Sequence, residues 1–106
     1  MRLRNSFWAL LGQPQIEAPE AVVERVRLAM RRAVEEHLGL DARAKTLLRQ
    51  LVSAQDIESL WYLRPEIMNA IASRCGESRA RHCLLELTAL FKGHHPGAAT
   101  SRLGSL

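Results

Sequence analysis

The 106-residue sequence predicts an all-α fold, a small bundle of five or six helices, on three observations. Apolar residues recur at spacings of three and four along most of the chain. No stretch alternates with period two between Asn-Gly or Asp-Gly turns. Gly and Pro fall where helices of ordinary length need to stop and start.

A first short helix is predicted over residues 5–11, ended by Gly12 and Pro14, with residues 13–18 as a linker. The clearest element spans 19–38. Pro19 suits a first helical position, where its missing N–H would have had no intrahelical partner, and Gly39 follows the end. Val22, Val23, Val26, Ala29, Met30, Ala33, Val34, His37 and Leu40 fall in an arc of roughly 140°, with charged residues on the remainder. Six of these positions also follow a coiled-coil spacing, over too few heptads to define a coiled coil.

Asp41 is placed to cap a third helix with Leu40, Ala44, Leu47, Leu48, Leu51 and Val52 inward. Ser53-Ala-Gln-Asp56 reads as a capping box for a fourth helix, which carries Ile57, Leu60 and Trp61. Arg64 precedes a proline and is expected outside helical geometry, so a new helix is predicted from Pro65 to Cys75, with Ile67, Met68, Ile71, Ala72 and Cys75 inward. Gly76 stops it. A last helix over 77–92 turns Ala80, Cys83, Leu84, Leu87, Leu90 and Phe91 to one side. Residues 94–106 carry the Gly, Pro and Ser content of a flexible tail, which leaves one helical domain over 1–93.

Hydrophobic residues at 47% and charged residues at 25% give the balance of a folding chain rather than a disordered one. The net charge of +4 tolerates an anionic partner without requiring one, because acids and bases alternate instead of forming a block. No apolar run reaches the length of a membrane span, and the N-terminal run is too short for a signal peptide. Two cysteines, Cys75 and Cys83, are too few for a disulfide scaffold. A reducing, cytoplasmic setting is the expectation.

Residues 71–87 resemble a generic helix-turn-helix pattern over about twenty positions, with Gly76 as pivot and Ile71, Ala72, Cys75 and Leu85 at apolar or small positions. Arg74, Arg79, Arg81 and His82 would then supply the nucleic-acid contacts within a unit at 66–90. Glu77 and His82 depart from the pattern. So does the side that the second helix buries, since positions 82 and 85 lie away from the stripe of Ala80, Leu84, Leu87 and Phe91. A plain bundle junction is the preferred reading.

Cys75, His82, Cys83, His94 and His95 lack zinc-ligand spacing, and no nucleophile–base pair or phosphate loop is evident. No cofactor or catalytic activity is expected, and a metal protein or enzyme stands as the last alternative. The expected function is a small non-catalytic interaction or regulatory protein acting through apolar helix faces. It would pair with itself as a homodimer and with a further protein partner. Candidate contact residues are Phe7, Trp8, Val23, Met30, His37 and Tyr62. His37 is the polar residue on an apolar arc, and Tyr62 is the neighbour left outward when Trp61 turns in.

Overall fold

A computed structural model describes residues 18–98, and the predicted helix at 5–11, with Phe7 and Trp8, lies outside them. Five helices follow in order: α1 (Pro19–Leu38), α2 (Ala42–Ser53), α3 (Ile57–Trp61), α4 (Arg64–Cys75) and α5 (Glu77–Ala89). The fold is the expected all-α bundle. Helices α4 and α5 form a tight pair, α1 crosses α2 and α4, and its seam with α5 is more open.

Pro19 opens α1, and Gly39, at φ 68°, closes it by donating its N–H to the Glu35 carbonyl at 3.1 Å. Val22, Val26, Met30, Val34 and Leu38 are buried on one side. Leu40 was expected to extend that arc, yet it is 70% exposed. The helix has already ended, so helical spacing no longer carries position 40 inward. Val52 is equally exposed, because it stands roughly 90° from the middle of the Ala44, Leu47, Leu48 and Leu51 stripe.

Asp41 caps α2 as expected, with Oδ1 accepting from the Ala44 N–H at 2.8 Å. The capping box at Ser53 does not form. Ser53 is the last residue of α2 and its hydroxyl donates to the Arg49 carbonyl at 3.1 Å. Asp56 is the cap of α3 instead, accepting from the Ser59 N–H at 2.8 Å, and this bond lowers its carboxyl pKa. Arg64 is the first residue of α4 rather than a residue excluded from it. Its Nε donates to the Trp61 carbonyl at 3.2 Å, which ties the α3–α4 turn together.

Gly76, at φ 99°, separates α4 from α5. Helix α5 buries Ala80, Cys83, Leu84 and Leu87 and stops at Ala89, before the predicted end, but Phe91 in the following turn is fully buried. The expected flexible tail is corrected over its first residues. Ala98 is 1% exposed, and the His95 ring stacks on Trp61 with centroids 4.4 Å apart. Phe91 meets the same indole edge-on at 5.1 Å. The Arg64 guanidinium lies 3.4 Å from the ring centroid. Two groups that close to one indole cannot share a side of it, so Arg64 and His95 enclose Trp61 between them. Gly97 lets the chain pass: a Cβ there would collide with Cζ2 of Trp61 and come within 2.8 Å of Cε2. Residues 95–98 are therefore packed on the bundle.

A second tie joins α1 to the end of α2. Arg27 extends Nη1 to the carbonyls of Leu51 at 2.5 Å and Ala54 at 2.6 Å, while Nη2 pairs with Glu24 at 3.0 Å. These carbonyls belong to the last turn of α2, where intrahelical donors have run out and a cation is favoured by the helix dipole.

Candidate interaction surface

A groove lies along the seam of α1 and α5, where the two helices touch sparsely. Small and apolar side chains floor it: Ala29 and Ala33 from α1, and Cys83, Leu87 and Leu90 from α5. Arg32 and Glu36 form its α1 rim and Glu86 its α5 rim. Toward the α4–α5 turn it widens to 630 Å³ beside Cys75, Ser78, Arg79 and His82. His37, Cys83 and Glu86 border both parts.

His37 sits half-buried at the middle of this seam. Its Nδ1 is 2.9 Å from the Ala33 carbonyl, so that nitrogen carries a proton and donates back one turn along α1. Cys75 donates its thiol to the His37 carbonyl at 3.4 Å. Cys83 is buried, and burial pushes its thiol pKa up, assisted by the negative charges of Glu86 and Glu36. Thiolate is the reacting species, so Cys83 is a poor nucleophile near neutral pH. Titration with a thiol-specific reagent is expected to label half-buried Cys75 first and Cys83 slowly, with the Cys83 rate rising as pH is raised. Equal rates for the two at pH 8 would refute this burial assignment.

The residues singled out from sequence disperse. Met30 is fully buried beneath α1, so its assignment to a contact between chains is corrected: its side chain belongs to the core. Val23 is buried too, beside a separate cleft formed with Val22, Gln55, Ile57 and His94. Tyr62 is 64% exposed while Trp61 is enclosed, as the helical offset between neighbours requires. Of the four described contact candidates, Val23, Met30, His37 and Tyr62, His37 alone borders the α1–α5 groove.

Three of the four contact residues of the helix-turn-helix alternative have partners within the chain, and Arg79 is exposed beside the groove. Arg74 pairs with Asp41 at 3.0 Å and donates to the Leu38 carbonyl at 3.3 Å, pinning the end of α4 to the α1–α2 corner. Arg81 pairs with Glu77 and His82 with Glu86, each at 3.4 Å along α5. His82 is exposed and Leu85 is 61% exposed, whereas a recognition helix needs those two positions packed against its partner helix. The buried side of α5 is the one expected from the leucine and phenylalanine spacing.

Sequence reasoning missed the structural roles of Arg27, Arg64 and His95, which reach Leu51 and Ala54, Thr88, and Trp61 respectively, and it missed the outward stripe of α1. That stripe comprises Leu28, 45% exposed, with Arg32 and Glu36 one and two turns on, and Leu40 in the turn beyond Gly39. A signal was present: Leu28 is the one leucine on the charged side of an otherwise well-segregated helix. Among the described residues, no three His, Cys, Asp or Glu side chains converge as metal ligands, and no helix is long and apolar enough to cross a membrane. Compared with models of known families, with curated proteins and with solved structures, the chain matches none of them.

Proposed function

We propose that this chain is a small non-catalytic interaction or regulatory protein that acts through helix faces and works as a homodimer able to engage a further protein. One observation supports the reading above the others. Helix α1 has already committed one side to the core, yet its flank presents Ala29, Arg32 and Glu36 along a groove that α5 leaves open, with Leu28 exposed one turn before Arg32. An apolar residue among charges beside a small-residue floor is the composition of a helix-packing surface. The two cysteines, free in the structure, fit a reducing cytoplasmic setting for such a protein.

Light scattering across a concentration series tests the reading. A mass of two chains at high micromolar concentration is expected, and a monomer throughout would contradict it. Duplex DNA titrated at low and moderate salt is expected to bind weakly. Micromolar affinity with a steep salt slope would favour nucleic-acid binding through Arg79, Arg81 and His82 instead.

A further inference from the structure

We infer that α1 packs antiparallel against α1 of a second copy about a two-fold axis near Val34. Arg32 then meets the partner's Glu36, and Leu28 meets the partner's Leu40. This rests on the self-association proposed above and names the surface that performs it.

The charge order carries the argument. In a two-fold contact, whatever residue i meets at j, j must meet at i. Positions 28, 32 and 36 stand one turn apart and read apolar, basic, acidic, and Leu40, 70% exposed just beyond Gly39, supplies a second apolar group at the far end, placed there by the turn and not by helical spacing. Reversed, the same series reads apolar, acidic, basic, apolar. It is therefore complementary to itself when antiparallel, and both Arg–Glu contacts form at once.

Other registers lose this match. A parallel arrangement sets Arg32 against its own copy. An axis at Leu28 brings Glu36 opposite the partner's Glu20, and Arg32 opposite the partner's Glu24, which Arg27 already holds within its own chain. Arg31 is similarly engaged with Glu35 at 3.2 Å. Arg32 and Glu36 take part in no ion pair among the described residues, so they remain available between chains. Leu28 and Leu40 are two of the large apolar side chains left exposed, at 45% and 70%. Ala29 and the nearly buried Ala33, beside the stripe, add no bulk that would hold a second helix away.

Charge exchange between chains tests the pairing. Arg32→Glu and Glu36→Arg each introduce two like-charge contacts across the axis, and each is expected to raise the dimer dissociation constant at least about tenfold. The doubly exchanged chain should return to near the native value. An equimolar mixture of the two single variants should form heterodimers more tightly than either variant pairs with itself. Both positions are exposed, and a native-like far-ultraviolet circular dichroism spectrum would confirm that the variants fold. If native and single-variant chains sediment alike as dimers, this surface is refuted while self-association stands. A native chain that remains monomeric at high micromolar concentration removes both.

Discussion

Replacing Trp61 by alanine is expected to cost about 3–5 kcal/mol, at the upper end for a single core truncation. The indole is 8% exposed and serves three partners from two parts of the chain: Arg64 at the start of α4, and Phe91 and His95 after α5. Its loss leaves a cavity beneath the turn after α5 and removes the platform against which residues 95–98 lie. Tyr62, the next residue, is 64% exposed, so Tyr62→Ala should change stability by no more than about 0.5 kcal/mol. Denaturant midpoints at constant slope measure both. Similar costs for the two would mean that the indole is not the centre of this cluster. Gly97→Ala provides a check at the same place. The added methyl must displace the indole or the chain, so faster amide exchange over 94–98 is expected, with the rest of the bundle unchanged.

Arg27→Ala is expected to cost about 2–3 kcal/mol, because a charged donor serving two carbonyls at the end of α2 is removed and those acceptors lose their partner. The Arg27 side chain is 17% exposed, so water replaces it poorly. Arg31→Ala breaks an exposed ion pair in the same helix and should cost no more than about 0.5 kcal/mol. Arg27→Lys keeps the charge but not the planar fork, and should recover only part of the loss. Equal effects at positions 27 and 31 would show that the tie between α1 and α2 contributes nothing beyond an ordinary surface charge.

The elements legible in the sequence were those set by local chemistry. Pro19, Gly39, Asp41 and Gly76 mark ends because each acts on its own backbone within a few residues. The inward sides of α1 and α5 followed from spacing alone. The errors arose where spacing was carried past the point at which a helix stops, as with Leu40. They also arose where two caps competed, as with Ser53 and Asp56.

The candidate surface was less legible for a different reason. Spacing identifies an apolar arc without saying how much of it the rest of the chain covers. Met30 and Val23 satisfy the same pattern whether α1 packs on its own bundle or on another chain, and tertiary contact with α2 and α4 decides in favour of the bundle. What remains for a partner is the residue that breaks the pattern, Leu28, with the charges beside it. The His95 role was hidden because Trp61 lies 34 residues away, and the Arg64 role because its guanidinium also reaches Thr88 on α5 at 3.0 Å, separations that periodicity does not encode.

Dilution of isotope-labelled protein, followed by backbone amide chemical shifts, tests the account most directly. Passing from high to low micromolar concentration should move resonances of residues 28–40 along α1 and leave those of Arg79 to Leu85 on α5 in place. Shifts centred on α5, or a spectrum that does not change with concentration, would contradict the assignment of the outward flank of α1 as the pairing surface.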